Sequence, residues 1–93
     1  MYLTPSGDSG SDFWILSGSY IVLRFSLNRT ATVYTAISNK DTHLPIAEWS
    51  GNTSGRYISA NAPTSGKYRG IIRNASSYAI TVTGAVFDWA LWL

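Results

Sequence analysis

Cysteine is absent from the 93 residues, which excludes disulfides, thiolate metal sites and cysteine nucleophiles together. Charge is scarce as well: Asp, Glu, Lys and Arg make up 13% of the chain, about half the usual quarter. The formal net charge of +2 is too small to imply a nucleic-acid partner. His43 and Glu48 are the sole histidine and glutamate, so an acid–base catalyst could draw only on these and on Asp8, Asp12, Asp41 and Asp88. No nucleophile-bearing motif surrounds any serine, and an enzyme is not expected. No apolar run reaches the ~18 residues of a membrane-spanning helix. MYLTPSGDSGSD lacks a basic region followed by an apolar stretch, so it does not read as a signal peptide.

What the chain does have is β-strand chemistry. Its polar residues are mostly Ser, Thr, Gly and Asn, and it carries four Trp and six Tyr. Such an uncharged polar surface suits an extracellular or surface-exposed protein. Ile21, Leu23, Phe25 and Leu27 alternate with Tyr20, Val22, Arg24 and Ser26, the period of two of a half-buried strand. NRT reads as a tight turn into a second strand over residues 30–38. NKDTH, SGNTSG, NAPTSG and NASS punctuate the rest, leaving strands over 44–49, 56–60 and 67–73 and a long last one from Tyr78 to about Trp89. With residues 13–16 this predicts seven to eight short strands, an all-β antiparallel β-sandwich or jelly roll. Residues 1–11 read as a flexible N-terminal arm and 12–93 as a single β-sandwich domain.

APTSGKYRGIIRNASSYAITVTG resembles the closing strands of small secreted β-sandwich modules such as the bacterial pre-peptidase C-terminal domain. Pro63, Ser65, Gly66 and Tyr68 match the opening of one strand, and Tyr78, Ile80 and Val82 match the next. SDFWILSGSYIVLRFSL is similar to that family's opening, an Asp-Phe pair before a Gly turn and a strand. The resemblance implies the sandwich fold. The family's acidic middle strand, of a kind that can hold calcium, is replaced here by TATVYTAIS, so no metal site and no cofactor is expected.

Few side chains suggest a ligand site. Trp49 stands beside the Gly-rich SGNTSG, where it could serve as a sugar-stacking platform, with Asn52 and Arg56 as polar contacts. Lys67, Arg69 and Arg73 would share one strand face, an anion-friendly stripe or a solvated outer face, with Arg56 on a neighbouring strand. The sequons at Asn28, Asn52 and Asn74 predict exposed turns.

The end of the chain, TVTGAVFDWALWL, poses the main question. As a strand it would put Phe87, Trp89, Leu91 and Leu93 on one side and Asp88, Ala90 and Trp92 on the other. Both sides are apolar, as in a doubly covered strand or a surface meant for another copy. The expectation is a subunit interface made by Phe87, Trp89, Leu91, Trp92 and Leu93, with Tyr2 and Leu3 joining from the arm. The leading reading is a non-enzymatic assembly subunit, a homo-oligomer or filament. A carbohydrate- or cell-wall-binding module and a membrane-active secreted toxin or bacteriocin are the alternatives.

Overall fold

The computed structural model describes residues 1–90 and is all-β, without a helix among those residues. The strands are β1 (Tyr2–Leu3), β2 (Asp8–Ile15), β3 (Tyr20–Asn39), β4 (Leu44–Asn61), β5 (Gly66–Asn74) and β6 (Ile80–Ala90). Every pairing is antiparallel. The six strands hydrogen-bond into one connected sheet that curls into a half-barrel, where the sequence predicts a sandwich or jelly roll of seven to eight.

The difference in count comes from two mergers, set against one added strand, β1. NRT and SGNTSG are not turns: β3 runs through the first for 20 residues and β4 through the second for 18. Their pairing register shifts between Ser26 and Ala31, opposite Gly55 and Thr53. Residues 27–30 of β3 stand there against Ser54 alone, so the extra residues are on β3; on the β4 side Thr53 holds the irregularity, its hydroxyl donating to the Gly55 carbonyl at 2.6 Å and accepting the Gly55 N–H at 3.1 Å. Bulges bend strands and sharpen their twist. A straight 20-residue strand would measure roughly 65 Å at ~3.3 Å per residue. The molecule's longest dimension is 41 Å, so β3 must coil.

Coiling divides the sheet into two arms that share β3 and β4. In the first arm, residues 20–27 of β3 lie between β6 and residues 55–61 of β4. In the second, residues 31–39 of β3 lie between β5 and residues 44–53 of β4, with β2 outside β5. The concave side holds the core: Ile21, Leu23, Phe25 and Ile58 from the first arm meet Val33, Ile37, Tyr68 and Ile72 from the second. Phe87 closes the space between them by lying over Gly70, where an added Cβ would stand 3.2 Å from its ring. A side chain at Gly70 would push that ring back by a few tenths of an ångström.

The N-terminal segment is not a separate arm. Leu3 is 4% exposed and pairs with Ile80, and Tyr2 pairs with Thr81. Residues 8–11, also inside the expected arm, belong to β2 and pair with residues 70–73 of β5. The Pro5-Ser6-Gly7 turn is real, with Gly7 N–H donating to the Thr4 carbonyl at 2.8 Å. Both its sides are nevertheless fastened: Ser6 N–H donates to the Asn74 carbonyl and Asn74 N–H to the Gly7 carbonyl.

Candidate interaction surfaces

Three strand edges are open to a partner, and they differ in how they are protected. The β2 edge carries Asp8 and Asp12, each tied to β5 by an ion pair, at 3.4 Å to Arg73 and 3.7 Å to Arg69. The β4 edge carries Pro45 and the irregularities opposite residues 26–31 and 37–38. Charge, proline and bulges are the devices that keep edges from pairing. The β6 edge is covered by β1 only at Ile80 and Thr81 and by Met1 at Val82, whose carbonyl receives the amino-terminal group at 3.0 Å. Among the described residues no strand pairs with its outer edge over residues 83–90. That stretch has no proline and one charge, Asp88.

The convex face beside this edge exposes large apolar side chains among a few polar ones. Tyr20, Val22 and Arg24 stand in register with Ala90, Asp88 and Val86 of β6, and with Asn61, Ser59 and Tyr57 of β4. Val86 is 44% exposed, and Tyr20 and Tyr57 are exposed too. Around the rim, Trp14 at 56% and Leu16 at 49% extend the patch and line a shallow groove with Ser19, Trp89 and Ala90. Among the described residues neither Arg24 nor Asp88 forms an ion pair. The Asp88 carboxylate accepts the N–H of Trp89 at 2.9 Å.

Phe87 and Trp89, expected in a subunit interface, sit on the concave side, half-buried against the core. Phe13 joins them, its ring centroid 5.6 Å from that of Phe87 and 4.7 Å from that of Trp89. These tilted pairs link β2 to β6 across the mouth of the half-barrel. Of the other expected interface residues, Leu3 is buried in its own chain and Tyr2 is exposed. Leu91, Trp92 and Leu93 lie outside the described residues.

No protein-family model matches the chain, and no curated protein does.

Trp49, Asn52 and Arg56 do not form one site. Trp49 and Arg56 come together because the alternation of β4 faces reverses at the irregularity around Ser54: Trp49 opposes buried Thr35, and Arg56 opposes buried Phe25. The Arg56 guanidinium lies 4.0 Å from the indole centroid, a cation–π stack that covers the ring a sugar would need. The ring also rests on Gly51, where φ is +154° and an added Cβ would fall 3.0 Å from it. Asn52 points to the convex side, its side chain hydrogen-bonded to Thr32 at 2.5 Å.

The remaining candidates are accounted for by the fold. Asn39 organises the turn before His43, its side-chain oxygen accepting the N–H groups of Asp41 and Thr42 at 2.8 and 3.2 Å. Glu48 is on the convex face, where it accepts the Tyr34 hydroxyl at 2.8 Å, so Asp41, His43 and Glu48 do not converge. Burial raises the pKa of Tyr34, and its hydrogen bond to Glu48 and that carboxylate's charge add to the rise, against the pull of Arg73. Arg69 and Arg73 are paired with Asp12 and Asp8, so the basic stripe is neutralised from the neighbouring strand, and Arg56 lies on the other face. No group of three potential metal ligands occurs among the described residues.

The sequons divide. Asn28 and Asn52 are exposed, but Asn74 is fully buried. Its amide donates to the carbonyls of Leu3 and Tyr78 at 3.0 and 2.7 Å, and its oxygen accepts the Ser76 N–H at 3.0 Å. It holds β1, β5 and the approach to β6 together. The surface residues missed from sequence are Tyr20, Val22 and Arg24. Their signal was present, since Tyr20 and Val22 place apolar groups on the face opposite Ile21 and Leu23.

Proposed function

We propose that the protein is a non-enzymatic assembly subunit of a surface or extracellular multimer, and that it associates through its C-terminal strand. The observation that carries this reading is the open β6 edge over residues 83–90 beside the exposed Tyr20, Val86 and Trp14. Backbone groups without a strand partner and exposed apolar side chains next to them favour β-sheet addition by another chain. The N-terminal residues have a different part: they cover residues 80–82 of the same edge and so define where the open stretch begins. The uncharged Ser, Thr and Asn surface agrees with an external setting.

The test is the size distribution of the full chain by light scattering and negative-stain microscopy, beside the Val86→Glu variant. In-register Arg24 gives the new carboxylate an attractive neighbour within its own chain, so the variant should stay folded. A defined oligomer or filament that becomes monomeric in the variant is the expected result. A full chain that stays monomeric at high concentration overturns the reading.

A further inference from the structure

Resting on the assembly reading above, we propose that the partner at the β6 edge is a second copy of this chain. The two β6 strands pair antiparallel about a two-fold axis at Phe87, so that Arg24 of each subunit faces Asp88 of the partner subunit.

Comparison of the edges selects β6: the β2 edge is occupied by ion-paired carboxylates, the β4 edge is broken by Pro45 and two irregularities, and the one register shift of β6, at Thr83, lies at the start of its open stretch and leaves residues 84–90 regular. The open stretch of residues 83–90 is longer than an average strand of five or six residues. Faces and charges then restrict the register. Convex residues of one copy must oppose convex residues of the other, because a one-residue slip would turn the partner subunit over and set its concave side beside the convex face of the first. Among the registers that keep the faces, a two-fold at Asp88 sets the two carboxylates opposite each other, which is unfavourable. A two-fold at Phe87 sets Val86 opposite the partner's Asp88. Arg24 is in register with Val86 within its own chain. It therefore falls in the same row as the partner's Asp88, two strand spacings or about 10 Å away along the backbone. An arginine and an aspartate side chain reaching toward each other span that distance. Arg24 and Asp88 take part in no ion pair among the described residues, and both lie on the convex side. Two such contacts form at once, because a two-fold interface uses the same patch on both subunits. For the same reason the pairing closes at two copies and does not propagate.

The test is a mixing experiment read by sedimentation velocity. The full chain is expected at twice the monomer mass. Arg24→Asp and Asp88→Arg, each alone, set like charges across the two-fold and should sediment as monomers. An equimolar mixture of the two restores opposite charges at both contacts and should return to the dimer mass. Contacts within one chain cannot be repaired by mixing, so recovery identifies an interaction between subunits. If either variant loses its β-sheet circular dichroism, Val86→Glu replaces it: its carboxylate opposes the partner's Asp88, and it should be a folded monomer. A dimer unaffected by the charge changes, or a mixture that stays monomeric, overturns this pairing. Filaments or larger oligomers of the unmodified chain overturn the closed two-fold while leaving the assembly reading intact. A monomeric unmodified chain removes both.

Discussion

The two arms of the sheet share the same two long strands and one core, yet their convex faces have opposite characters. On the second arm a ladder of polar side chains is paired across the face: Asp8 meets Arg73, Asp12 meets Arg69 and Lys40, Tyr34 meets Glu48, and Thr32 meets Asn52. All three ion pairs of the described residues lie there. On the first arm Tyr20, Arg24, Tyr57, Val86 and Asp88 face solvent around half-buried Val22, and among the described residues the one pair of side chains joined by a hydrogen bond is Ser26 with Thr83, at 2.9 Å. Exposed ion pairs contribute at most ~1 kcal/mol each, so the second arm gains little stability from its ladder. What it gains is a surface and an edge that other strands do not readily join. The first arm lacks this protection along the edge it leaves open.

If the arms differ at the surface but share a core, removing core volume should affect the molecule as a whole. Ile37 is fully buried in the second arm, between Ala47 and Gly70 on the neighbouring strands. Ile37→Ala is expected to lower stability by about 3 kcal/mol, the range for emptying a packed isoleucine site. Urea unfolding followed by circular dichroism should show one transition at a lower midpoint. Two separate transitions would mean that the arms unfold independently.

Phe87 sharpens the comparison because it belongs to the first arm and covers Gly70 of the second. Its ring is half-buried, so Phe87→Ala should cost about 2 kcal/mol, less than the 3–5 kcal/mol of a fully buried phenylalanine. A loss near zero would mean that Phe13 and Trp89 fill the space without it.

The contrast between the arms also explains which parts of the molecule were legible in the sequence. Alternation of Ile21 to Leu27 identified buried positions correctly, because a half-buried strand requires that period whatever its partners are. NRT and SGNTSG were misread because the residues that suit a turn are also the ones that tolerate a bulge. Which of the two forms depends on pairing far along the chain: Ser26 and Ala31 stand opposite Gly55 and Thr53, and together they let both long strands pass from one arm to the other. Asn74 was misread for a related reason. A sequon in a polar stretch suggests an exposed turn, but its burial comes from the N-terminus, 71 residues away, folding back to present the Leu3 carbonyl. Trp49 and Arg56, seven positions apart, would fall on opposite faces of a regular strand, and the irregularity around Ser54 brings them together.

The smallest effect expected is on the convex face of the second arm, at Tyr34. Its hydroxyl is bonded to Glu48, and burial together with that carboxylate holds its pKa above the ordinary 10.0. A folded-state pKa above the unfolded one means that folding favours the protonated phenol. The stability it contributes is therefore complete below about pH 10 and declines as pH rises through the folded-state value. Tyr34→Phe removes both the bond and this dependence. At neutral pH the variant should be less stable by under ~1 kcal/mol, since the hydrogen bond is accessible to water. Above about pH 10 the gap between the two proteins should narrow, because the native chain loses a contribution that the variant never had. Urea midpoints measured in parallel at neutral and alkaline pH give the comparison directly. A gap that stays constant across that range would mean that the Tyr34 proton is not coupled to folding, and that the polar ladder of the second arm shields its face without adding to its stability.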